Sequence, residues 1–85
     1  MNGTTKCKAD AQETAKDLRY LARLVIEHEL SPSQLVRFIV DGNARKIRLR
    51  ALCWVVEVAK DFPAESYLFL ERCLQGFAYF MEEPR

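Results

Sequence analysis

Residues 63–82, PAESYLFLERCLQGFAYFME, carry more apolar surface than one neighbouring helix can cover. Tyr67, Leu70, Leu74, Phe77 and Met81 recur at helical spacing. Phe69, Cys73, Gly76 and Phe80 form a second stripe beside them, so the apolar arc is wide. Glu71, Arg72, Gln75 and the flanking Glu65 and Glu82 leave only a narrow wettable edge. A helix of this kind must pack on two sides. The chain has 85 residues, enough for one domain with a thin core. Part of the arc (Leu68, Phe69, Tyr79 and Phe80) is therefore expected to meet a second copy or another protein. Pro63 is expected in the first turn, where its missing N–H is no loss, with Glu65 near the positive end of the helix dipole.

The rest of the chain reads as three more helices. Residues 1–7 lack periodicity and are expected to form a disordered N-terminal tail, leaving 8–83 as a single helical domain. Over about 8–29, Ala11, Ala15, Leu18, Leu21, Ala22 and Val25 build one apolar face. Leu30-Ser31-Pro32-Ser33-Gln34-Leu35 is a complete helix start. Ser31 caps, Pro32 takes the first helical position, and Gln34 reaches back to close a capping box. The short second helix, 32–40, is expected to stop at Asp41-Gly42-Asn43, with Gly42 supplying a left-handed turn. Residues 44–60 are ambiguous. Lys46-Ile47-Arg48-Leu49-Arg50 alternates like a strand. Ile47, Ala51, Trp54, Val55 and Val58 instead share a helical face, with Asp41 or Asn43 as cap. A lone strand would have no pairing partner, so a helix is expected over 44–60. The reading is all-α: a compact bundle of four helices at about 8–29, 32–40, 44–60 and 63–82, the second one short. Its expected core is Leu18, Leu21, Val25, Leu35, Phe38, Ile39, Ile47, Trp54, Val55, Val58, Leu70, Leu74 and Phe77.

A formal charge of +1 makes no global case for nucleic acid. The balance conceals a basic middle, where Arg37, Arg45, Lys46, Arg48 and Arg50 face only Asp41 over residues 31–56. Two interpretations are open. One is a solvated helix end partly neutralised by Glu65, Glu71, Glu82 or Glu83. The other is a patch that faces a nucleic-acid backbone or an acidic protein surface. Three scattered cysteines (Cys7, Cys53 and Cys73) without a signal-peptide pattern point to a reducing cytoplasm. Cys53 and Cys73, inside apolar runs, are expected to behave as small hydrophobes. The longest apolar run, Ala51–Val56, is too short for a bilayer.

Chemistry has little to stand on. His28 is the only histidine, and no nucleophile pairs with it. Cys7, His28, Cys53 and Cys73 lack the paired spacing of a structural zinc site. No glycine-rich phosphate loop occurs. No catalytic residue, cofactor or metal is therefore expected. The segment 31–56 resembles a helix-turn-helix, with departures at Phe38, where that motif packs a small residue, and Arg48, where it places an apolar one. The expected function is a small non-enzymatic protein–protein interaction module. It would act as an adaptor, inhibitor or regulator that binds a larger protein, self-associating as a homodimer. The alternative is a dimeric helix-turn-helix-like DNA-binding regulator that uses the basic residues.

Overall fold

A computed structural model of the chain describes residues 2–82, with side chains from Ala9 onward. Four helices follow one another: α1 Asn2–His28, α2 Pro32–Val40, α3 Leu49–Asp61 and α4 Tyr67–Glu82. The all-α bundle is as the sequence implies. The expected tail at 1–7 falls on residues whose side chains lie outside the described ones. The molecule measures 42 × 24 × 22 Å. A 27-residue helix spans about 40 Å, so α1 alone sets the long dimension.

The α1–α2 corner is built by caps. Glu29 sits at φ 51, and the Leu30 N–H donates to Val25 O at 3.2 Å, closing α1 with a left-handed residue that is not glycine. Ser31 then opens α2. Its Oγ accepts from the Gln34 N–H at 3.3 Å, and Gln34 Oε1 accepts from the Ser31 N–H at 2.9 Å. Pro32 and Leu35 are buried beneath this capping box. At the far end of α2, Gly42 adopts φ 83, and the Asn43 N–H reaches Phe38 O at 3.1 Å. Both signals in α2 act as the sequence indicates.

Three helix starts differ from expectation, the first being α1, which runs from Asn2 rather than from about residue 8. α3 begins at Leu49 rather than near residue 44, and neither Asp41 nor Asn43 caps it. Residues 43–48 stay non-helical because α1 takes their amides. Tyr20 Oη accepts the Arg45 N–H at 2.8 Å, and Asp17 Oδ2 accepts the Arg48 N–H at 2.8 Å. The alternation around Ile47 thus marks an extended strap that pairs with side chains, not a strand. α4 begins at Tyr67 rather than Pro63. Ser66 Oγ accepts the Phe69 N–H at 3.2 Å and acts as the cap. Pro63 lies outside the helix, and its carbonyl accepts the Ser33 N–H from the first turn of α2.

The most extensive packing is between α1 and α4, while α2 lies on α3, which also touches α1 and α4. α1 and α4 run in opposite directions. Arg19 meets Glu82 at one end, and Ser33, just after α1, meets Pro63, just before α4. Leu18, Leu21, Val25, Leu35, Val55, Val58, Leu70 and Leu74 form the core as expected. Ala15, Ala22, Ala51 and Ala78 join them fully or almost fully buried, because short side chains let these helices approach. Phe38, Ile39, Ile47, Trp54 and Phe77 reach only the rim and are half-buried. Trp54 stacks on Phe77 there, with ring centroids 4.1 Å apart. No helix among the described residues is long and apolar enough to cross a membrane.

Candidate functional site

The five basic residues do not form one patch. Arg37 lies on α2 and is exposed, and Lys46 points to solvent from the strap. Arg45, Arg48 and Arg50 are drawn instead to two aspartates of α1. Asp17 is 6% exposed, and its Oδ1 meets Arg45 Nη1 at 3.0 Å. The Arg45 guanidinium also lies 4.3 Å above the Tyr20 ring, a cation–π contact. Asp10 divides its oxygens between Arg48 Nη1 at 3.0 Å and Arg50 Nη1 at 2.9 Å. Arg50 Nη2 approaches Met81 Sδ at 3.9 Å, which links this cluster to the end of α4.

Neutralisation therefore comes from acids that the charge tally passes over. Glu82 pairs with Arg19 at 2.6 Å, and Glu71 accepts from Gln75 Nε2 at 3.2 Å. Neither serves the strap, and Glu83 lies outside the described residues. The Arg19 hydrogen bonds hold the Glu82 carboxyl below the usual glutamate range and raise the Arg19 guanidinium in turn. Asp10 and Asp17 were discoverable. They stand seven residues apart, hence on one face of α1, beside its apolar stripe. Of the cations of 45–50, Arg45 and Lys46 lie in the strap, while Arg48 is the N-cap residue of α3 and Arg50 sits in its first turn. Only Arg50 lies in α3, and residues 41–48 separate α2 from α3, so the tight turn of a helix-turn-helix is not formed.

The second candidate surface is the outer face of α4. Leu68 is 57%, Tyr79 66% and Phe80 53% exposed. Phe69 is half-buried, because its ring meets Phe62 edge-on at 5.2 Å. With Arg72 and Gly76 between them, Leu68 and Tyr79 lie on one ridge of the helix. The structure thus brings three of the four expected apolar contact residues to the surface and turns Phe69 partly inward. Apolar exposure that the sequence reading passed over lies on α3. Leu49 is 73% exposed and, with Arg50, Cys53, Trp54 and Glu57, lines a shallow depression. Cys53 is exposed rather than a core hydrophobe. Burial, with Glu65 nearby, pushes the half-buried Cys73 thiol up and keeps it protonated near neutrality.

Among the described residues no group of three or more His, Cys, Asp or Glu side chains is placed to hold a metal ion. His28 is exposed, with its ring 5.0 Å from Phe38. The one buried side-chain polar atom without a hydrogen-bond partner among the described residues is Thr14 Oγ1. No protein-family model, no curated protein and no solved structure matches this chain.

Proposed function

We propose that this chain is a small non-enzymatic docking module that binds a larger protein through the outer face of α4, acting as an adaptor or inhibitor. The observation that carries the reading is the ridge from Leu68 to Tyr79, with both side chains more than half exposed. Large apolar side chains exposed together on one ridge favour an interaction face, and Tyr is favoured where one ring must serve both an apolar contact and a polar tip. The three arginines of the strap cluster engage Asp10 and Asp17 within the molecule, which leaves them less available to an anion. Free Cys53 and Cys73 suit a reducing cytoplasm, where we place the protein.

The test is affinity capture from lysate, with and without nuclease treatment, using the wild-type chain and a Leu68→Ser, Tyr79→Ser variant. A stoichiometric protein held by wild type, retained in high salt and lost with the variant is the expected result. Capture that vanishes with nuclease and falls steeply with salt would move the function to Arg37, Lys46 and nucleic acid.

A further inference from the structure

α3 buries Ala51, Val55 and Val58 against the bundle and turns its other side to solvent. On that side Leu49, Cys53, Val56 and Lys60 follow one another at steps of four, three and four residues, the spacing of a coiled-coil seam. All four are exposed, and only Lys60 is charged. Arg50 and Glu57 stand on one flank of this seam, seven residues apart, and both border the depression formed with Leu49, Cys53 and Trp54. Among the described residues Glu57 makes no ion pair. Arg50 is held at the rim by Asp10 and Met81, which engage two of its five N–H donors. The other flank is apolar, with Leu52 and Ala59 half-buried.

We infer that this face pairs with α3 of a second copy, antiparallel, with the two-fold axis midway between Cys53 and Val56. That axis sets Cys53 against Val56 of the second copy. It sets Leu49 against the aliphatic stem of Lys60, whose ammonium stays in water. On the flank, Arg50 of each copy comes within about 3 Å in height of Glu57 of the other, close enough for these side chains to meet. The contact is isologous, so the opposite charges meet twice. A parallel pairing would bring Lys60 against Lys60 and hold Arg50 about 10 Å in height from Glu57. The face therefore complements itself in charge in one direction only, and a second copy supplies both signs at the required spacing. A seam of four residues is short, so the dimer is weak and concentration-dependent. This face is separate from Leu68 and Tyr79 on α4, and the pairing does not rest on the docking reading.

Sedimentation equilibrium on the full chain under reducing conditions, from about 10 µM to 1 mM, tests the pairing. Wild type is expected to dimerise within this range. Glu57→Arg and Arg50→Glu each set like charges against one another across the axis. Each is expected to raise the dissociation constant at least about tenfold. An equimolar mixture of the two variants is expected to dimerise again, because opposite charges then meet at both contacts. Arg50→Glu also gives up Asp10, so circular dichroism checks that its helix content is kept. Where it is not, Leu49→Lys, at an exposed site set against Lys60, takes its place as the second weakening variant. A wild-type chain still monomeric at the highest concentration overturns the inference, and so does a dimer indifferent to Glu57→Arg. Folded variants that stay monomeric alone and also when mixed overturn the antiparallel axis.

Discussion

The Asp17 carboxylate holds the backbone of Arg48. Its Oδ2 accepts the Arg48 N–H at 2.8 Å across 31 residues of chain, while Oδ1 meets the Arg45 guanidinium. One buried side chain therefore decides where α3 can begin. Asp17→Ala would remove the acceptor of the Arg48 amide and the ion-pair partner of Arg45, whose half-exposed guanidinium would turn to solvent. It is expected to destabilise the fold by about 1–2 kcal/mol, and Asp17→Asn, which keeps an acceptor, by less than about 1 kcal/mol. Urea unfolding measures both, and amide exchange at Arg48 should accelerate in the alanine variant. An alanine variant as stable as wild type would show that the strap is held by other means.

Glu29 occupies a left-handed conformation at φ 51 that side chains with a Cβ adopt at a cost. Glu29→Gly relieves it and is expected to raise stability by about 0.5–1 kcal/mol. The thermal midpoint of the two proteins, compared at matched concentration, is the readout. A lower midpoint for glycine would mean that the glutamate side chain contributes more than its backbone strain removes.

Thr14 is fully buried, and its hydroxyl has no hydrogen-bond partner among the described residues. Valine keeps the branched shape and removes the unpaired oxygen. Thr14→Val is therefore expected to stabilise by about 1 kcal/mol, and Thr14→Ala to lose stability through the cavity it leaves. Opposite signs for the two substitutions in denaturant unfolding are the distinguishing result.

Glu82 titrates below the ordinary glutamate range because Arg19 hydrogen-bonds to its carboxylate. A lowered folded-state pKa contributes stability above the unfolded value, and this is lost as pH falls through the folded one. Glu82→Gln is thus expected to be less stable than wild type near neutrality and equal to it in strong acid. The side chains are 41% and 39% exposed, so the neutral-pH difference should be only about 0.5 kcal/mol and shrink with salt. A difference that persists at low pH would point to packing rather than charge.

What could be read from the sequence was local. The capping box at Ser31 and Gln34 and the left-handed stop at Gly42 are complete within six residues or fewer, so pattern alone locates them. The start of α3 was hidden because it depends on Asp17 and Tyr20, which are distant in the chain. At α4, Pro63 and Ser66 both signal a helix start, and the Ser66 hydroxyl wins. Of the buried alanines, Ala15, Ala22 and Ala51 could be placed on apolar faces from spacing but not ranked as core, and Ala78 was not marked at all, because burial of a small side chain reports the approach of a partner helix. The same limit shaped the candidate surfaces. Leu68 and Tyr79 follow from the breadth of the α4 arc, whereas the basic patch dissolved once Asp10 and Asp17 came into view from α1.

The pairing of α1 with α4 also has a temporal meaning. Arg19 and Glu82 touch, yet they are separated by 63 residues. At about 5–20 residues per second, the ribosome adds Glu82 some 3–13 s after Arg19. Throughout that interval the apolar stripe of α1 has no α4 to cover it. The nascent chain must pass that interval with the α4-facing side of α1 uncovered, and the bundle can close only once α4 has been made.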